Sequence, residues 1–399
     1  MSASVIVSAT RTAIGKFGGA IAGVPAVDLG ARAIRGALEK GGVDGAQIDY
    51  VIMGHVIQAG AGQITARQAA LKAGIPTAVP ALTINKVCLS GLNAIALADQ
   101  LIRAGEVSAV VAGGMESMDQ APYLLPAARR GYRMGDGTLV DSMNQDGLVD
   151  AFTHLSMGAQ SEDVNDELAI SRAEQDAWSA RSHRRAHEAS SDGRFAEEIV
   201  PLEVPQRRGD AVMFDTDEGI RGDSTPESLG ALKPAFKAGG TITAGNAAQI
   251  SNGGAAVVVM SAERAAELGL EPIAEIVAHG MSADEPPYLH TVPALAIQSA
   301  LKKAGMSPPD LDLLEINEAF AAVALHSTRM LFDGNGAAED RVNVNGGGVA
   351  LGHPIGCTGA RITVTLLHEL SRRGGGLGVA ALCGGGGQGD AVIYRVGAR

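Results

Sequence analysis

Aromatic residues are scarce: phenylalanine, tyrosine and tryptophan together make up 3% of 399 residues. The interior must then be built from alanine, valine, leucine and isoleucine. Cysteine is scarcer still. Three residues cannot form a disulfide framework, so each thiol is either buried or reactive, which fits a reducing cytoplasm. Positive charge is also lacking. The formal net charge is −12, and no basic stripe of the kind that follows nucleic acid is present. A small anionic ligand stays open, because a few local Arg and Lys can hold one. No apolar run approaches the ~18 residues of a membrane span. The N-terminus shows no basic stretch leading into an apolar one, so no secretory signal is expected.

Glycine is what the chain has in excess, with 53 residues, about twice the average share. No Gly-x-y period accompanies it, so collagen is excluded. The glycines cluster beside apolar runs, as at Gly384 to Gly387, a pattern expected where backbone packs tightly against backbone or ligand.

Strand-like and helix-like segments alternate, which implies α/β layering. Ser4–Ala9, Tyr50–Gln58 and Val107–Gly113 read as strands, Val27–Lys40 and Gly91–Ala104 as helices. Residues 37–55 align without gaps to residues 300–318, with identities Ala37/Ala300, Leu38/Leu301, Lys40/Lys303, Gly42/Gly305 and Asp49/Asp312. A weaker echo follows in the same order: the helix after Gly91 leads to VVAGG, and the helix after Gly359 to VAALCGG. Two duplicated halves are expected, 1–118 completed by 246–269, and 270–399. Between them, residues 119–245 change texture and read as an inserted loop domain. Within it, Ser171 and Glu174 form a capping box for a charged helix to about Ser190.

Four positions carry potential chemistry. Cys88 precedes an apolar helix, whose free N–H groups favour a thiolate or an oxyanion; a buried structural cysteine is the plainer reading. His353, flanked by Gly352 and Pro354 in a glycine-rich turn, is placed as a loop base. Cys383 ends a buried strand at a glycine run, where a thiol could exchange a proton with a bound substrate. Asn317 and Glu318 interrupt an apolar stretch, and either cap the next helix or hold a water or substrate. Other patterns fail. Gly384, Gly386 and Gly389 match G-x-G-x-x-G, but a strand-like segment follows where a nucleotide site needs a helix. No G-x-S-x-G elbow exists. His183 and His187 share a face with Arg184 and Arg185 nearby, a solvated basic face rather than a metal site. Cys357 reads as a small packing residue.

NKVCLSG, VAGGMESM, GLVDAF, LKPAF, TAGNAA, INEAFAA, NVNGGGVALGHPIG and LCGGGGQG together resemble the thiolase family over essentially the whole chain. The resemblance implies a duplicated, layered αβαβα fold and acetyl-CoA C-acyltransferase activity: Claisen condensation of acyl-CoA with acetyl-CoA, and the reverse thiolysis. It implies that Cys88 carries the acyl group, that His353 accepts its proton, and that Cys383 takes the α-proton of the second thioester. One oxyanion hole would use His353 and a water on Asn317, the other the N–H groups of Cys88 and Gly385. Arg221 would lie near the nucleotide end of the substrate. Leu148, Met157, Phe236 and Ala244 match positions along the pantetheine channel, with Ala248 beside them. No resident cofactor or metal is implied, coenzyme A thioesters being substrates. A broader-range 3-ketoacyl-CoA thiolase and a catalytically inactive CoA- or lipid-binding module are the alternatives. Departures are Ser156 where short-chain members carry His, Ala248 where they carry Ser, and Pro287–Pro293 without the usual glycine-proline pattern. Ala121–Asp141 resembles the loop that joins dimers, so a homotetramer is expected.

Overall fold

The computed structural model describes residues 3–205, 209–334 and 336–397. The first half comprises β1 (Ser4–Arg11), α1 (Ala26–Gly41), β2 (Tyr50–Gly54), α2 (Thr65–Ala73), β3 (Ala81–Ile84), α3 (Ser90–Arg103) and β4 (Ala109–Ser117). Helices α4 (Met157–Asn165) and α5 (Arg172–Ser191) follow, then β5 (Ser251–Ser261). The second half comprises β6 (Ala274–Ala283), α6 (Val292–Ala304), β7 (Leu313–Ile316), α7 (Ala321–Phe332), α8 (Thr358–Arg372), β8 (Gly376–Gly384) and β9 (Gln388–Val396).

Among the described residues one ten-stranded sheet spans both halves, in the order β7-β8-β9-β6-β1-β5-β4-β2-β3, with Gly15–Lys16 added beside β5. The halves meet where Val5 pairs with Glu275 and Ile6 with Ala274. Outward from that seam, one half reads β1, β5, β4, β2 and the other β6, β9, β8, β7. In each, the outermost of these pairings is parallel and the inner two antiparallel. The repeat seen in the sequence is thus a repeat of topology. Its shared glycine has the same task twice: Gly42 and Gly305 end α1 and α6 with φ of 62° and 67°, which a Cβ would disfavour.

Strand β5 reads Ala-Ala-Val-Val-Val-Met, apolar on both faces, and so needs cover on both. Val257 and Val259 face a middle layer where α3 and α8 pack together, through Leu92 and Ile95 with Leu366 and Leu370. Val258 and Met260 face an outer layer with Ile34 and Leu38 of α1. The other outer layer holds Ile297 and Leu301 of α6, Leu325 of α7 and Trp178 of α5. Five layers result, with alanine and branched aliphatic residues filling the middle as the scarcity of aromatics requires. The Ser171–Glu174 capping box is formed. Strand β4 starts at Ala109 and continues to Ser117, past the end read at Gly113, because Gly114 to Ser117 still pair with β5.

Candidate active site

Cys88 stands two residues ahead of α3, on a tight turn from β3. Val87 takes a left-handed φ of 51°, which a β-branched residue adopts only under constraint. Three bonds supply the constraint. Val87 N donates to Asn85 Oδ1 at 3.0 Å, Lys86 N to Ser90 Oγ at 2.8 Å, and Ser90 Oγ to Val87 O at 2.6 Å.

The hairpin of β8 and β9 closes on this turn. Cys383 is buried near the end of β8. A Cβ added at Gly384 would lie 2.7 Å from Leu89 Cγ, and one at Gly385 3.5 Å from Val87 Cγ2. A side chain at 384 would therefore hold the two cysteine loops apart. The thiols are near enough that a charge on Cys383 raises Cys88.

His353 is buried, with Nδ1 2.6 Å from Thr358 Oγ1. The Thr358 hydroxyl donates to Pro354 O at 3.0 Å. Its single proton is used there, so Thr358 accepts from His353 Nδ1–H and leaves Nε2 with its lone pair. Asn317 Nδ2 lies 3.4 Å from that nitrogen. Burial first, then the charge of Arg361, pushes the imidazole down to about 3. It is a neutral base through the physiological range. Asn317 is fully buried, its N–H bonded to Ala381 O at 2.9 Å, and its Oδ1 has no hydrogen-bond partner among the described residues. Such an oxygen is fit to hold a water or substrate.

The Glu318 carboxylate turns to α5 and to the glycine turn before His353. It accepts from Trp178 Nε1 at 2.9 Å, Ser182 Oγ at 2.7 Å, Asn343 Nδ2 at 2.9 Å and Val349 N at 3.1 Å. It binds α5 to the glycine turn that leads to His353.

The expected thiolate is not formed at rest. Although Cys88 is only half-buried, the protein around its sulfur pushes the thiol up, and Cys383 and Glu116 add to this. Burial likewise pushes Cys383 up to about 12. The helix terminus loses to desolvation. His183 also departs from expectation. It is 2% exposed, accepts from Arg221 N at 3.1 Å, and is pushed down to about 4, chiefly by burial. The solvated face belongs to Arg184 and His187.

Leu148 packs in one apolar cluster with Cys88 and Ile355, and Met157 in another with Cys383, Phe320 and Leu289. Phe236 stands edge-on to Phe320 at 6.0 Å and is exposed, as is Ala244. Ala248 N donates to Ala319 O at 3.0 Å, and His353 N to Gln249 O at 3.0 Å, so this segment threads between the Asn317 and His353 loops. Arg221 sits on an exposed turn, outside both apolar clusters.

Two important residues escaped the sequence reading. Thr358 sets the His353 tautomer; its hydroxyl five residues after the histidine was the available signal. Glu116 is a lone acid in an apolar strand. It accepts from Val56 N at 3.1 Å, Ile57 N at 3.2 Å and Gly356 N at 2.9 Å, with His55 Nε2 at 3.3 Å. It pins the His353 loop to the first half. Among the described residues, no group of three or more His, Cys, Asp or Glu could hold a metal, and no helix is long and apolar enough to cross a membrane.

Paired thiols, a neutral imidazole and this five-layered fold are the features of an acyltransferase that works through cysteine. Residues 4–263 match the thiolase N-terminal domain and residues 270–396 the thiolase C-terminal domain; the chain belongs to the thiolase family. It is 56% identical over 391 residues to a probable acetyl-CoA acetyltransferase of Mycolicibacterium smegmatis, covering 98% of this chain and 100% of that one. It is 52% identical to an acetyl-CoA acetyltransferase of Pseudomonas aeruginosa, covering 97% and 98%. The crystal structure of the Bacillus anthracis acetyl-CoA acetyltransferase superposes with a TM-score of 0.96, 45% identity and 99% coverage of both chains.

Proposed function

We propose that this enzyme is an acetyl-CoA C-acyltransferase, condensing an acyl-CoA with acetyl-CoA to a 3-ketoacyl-CoA, most simply acetoacetyl-CoA, and running the reverse thiolysis. The observation that carries the reading is the His353 imidazole, neutral and held by Thr358 in the tautomer that leaves Nε2 unprotonated, where Asn317 Nδ2 approaches it at a long 3.4 Å. In this scheme the Cys88 thiol passes its proton to Nε2 as Sγ attacks the thioester carbonyl. The departing CoA sulfur takes that proton, leaving an acyl group on Cys88 and His353 neutral again. Cys383, having given its own thiol proton to His353, accepts the α-proton of acetyl-CoA as a thiolate; the carbanion attacks the acyl carbon and releases Cys88, which takes the proton back from His353. An α-C–H is weakly acidic, so a thiolate with a raised pKa is the stronger base for it. Asn317, through a water, with His353 would stabilise one thioester oxyanion, and the N–H groups of Cys88 and Gly385 the other. Losing one such donor typically costs ~2.7–4 kcal/mol of barrier.

Coenzyme A is read as substrate, with Leu148, Met157, Phe236, Ala244 and Ala248 along its pantetheine arm and Arg221 toward its nucleotide. The exposed side chains of Tyr123 (64%), Met134 (98%) and Leu139 (61%), on and beside a hairpin of Tyr123–Leu124 with Val140–Asp141, support a homotetramer joined through this arm. A reducing cytoplasm keeps both working thiols free. Cys88→Ala should abolish the acyl-enzyme formed from labelled acetyl-CoA; Cys383→Ala should keep acylation and lose condensation. Full turnover by Cys88→Ala would overturn the reading. A thiolysis profile over 3-ketoacyl-CoA chain lengths gives the substrate range.

A further inference from the structure

We infer that Lys86 and Asp390 form a positioning pair that sets the spacing of the two reactive thiols, an inference resting on the roles proposed above for Cys88 and Cys383. Asp390 lies on β9 opposite Leu382, next to Gly389, which pairs with Cys383. Its side chain is 0% exposed. Lys86 Nζ donates to its two oxygens at 2.8 and 3.0 Å, across 304 residues of sequence. Asn93 Nδ2, in α3, donates to Oδ2 at 3.2 Å. His279 Nε2 on β6 stands 3.8 Å from Oδ1 and has no hydrogen-bond partner among the described residues. One buried carboxylate is therefore bonded to the residue two before Cys88 and to the residue five after it, while its own strand is paired with Cys383.

Lys86 is fixed in turn, because its N–H is bonded to Ser90 Oγ. The neighbours Ala391, Val392 and Ile393 are fully buried and apolar, and an apolar side chain at 390 would match them. A buried ion pair adds little net stability once desolvation is counted. What it adds here is a fixed separation between two loops from different halves. Condensation needs that separation, since a misplacement of about 1 Å at reacting atoms can lower a rate ~100-fold. Acylation needs Cys88 and His353, whose loop is held independently by Thr358 and Glu116.

The test uses the full chain with Lys86→Met and Asp390→Asn. Acylation of Cys88 by labelled acetyl-CoA is followed in a single turnover, and condensation and thiolysis in the steady state. Both variants should acylate at nearly the wild-type rate with little change in KM, while kcat for condensation falls by about ten- to a hundredfold. Lys86→Arg, which keeps the charge, should restore most of it. Equal loss of both half-reactions, with a lowered melting temperature, would reduce the pair to a structural role. Wild-type condensation in Asp390→Asn would remove the proposal. Wild-type protein that never labels at Cys88 would instead sink the acyltransferase scheme. If neither variant folds, Asn93→Ala should show the same split, and its absence counts against the pair.

Discussion

At the scale of single residues, the site works by holding groups neutral until the moment of reaction. Thr358 is central, because its one proton goes to Pro354 O and its lone pair fixes His353 Nδ1–H. Thr358→Val keeps the shape but frees the tautomer. It should lower kcat about tenfold or more with little change in KM, the loss of one orienting bond of ~1.4 kcal/mol. The pH dependence follows from the same burial. The imidazole lies at about 3 instead of 6.5, so its basic form persists as pH falls. Acylation of Cys88 should therefore hold nearly level from pH 7.5 to 5.5. A tenfold drop per unit below pH 6.5 would show that the base titrates normally.

At the scale of elements, glycines let backbone meet backbone. A Cβ at Gly114 of β4 would lie 2.0 Å from Gly356 O, and one at Gly54 of β2 2.7 Å from the same atom. The turn between His353 and α8 is seated directly on these two strands of the other half. Gly114→Ala must push that turn away, at a cost of ~1–3 kcal/mol in unfolding free energy, measurable by urea denaturation. Because the same turn carries His353, turnover should fall further than stability alone explains. The clustering of glycine was legible in the sequence, and so was its meaning of close approach. Which backbone each glycine meets was not, since Gly114 and Gly356 are far apart in the chain.

At the scale of the whole molecule, buried neutral histidines make acid a stress on the fold. Burial pushes His290 down to about 3, His326 adding to it, and pushes His183 down to about 4. Unfolded, each takes a proton near pH 6.5, while folded each refuses it until much lower pH. The stability they contribute is complete above 6.5 and is lost as pH falls toward 4. Unfolding midpoints should drop between pH 7 and 5, and His290→Gln should flatten that drop.

The duplicated halves show most clearly what each level of description decides. Local pattern determined a great deal: the alternation of strand and helix, the repeated helix–turn–strand with Gly42 and Gly305 at the same point, the capping box at Ser171, and the loops of Cys88, Asn317, His353 and Cys383. Each of these rests on neighbours in the chain, where propensity and turn chemistry act. The tertiary structure decided the rest. It set Glu318 to anchor α5, buried His183, made Thr358 choose a tautomer, and kept the Cys88 thiol protonated where the helix start alone favours a thiolate. Those outcomes depend on desolvation and on partners from distant parts of the chain, and neither exists until the layers are packed.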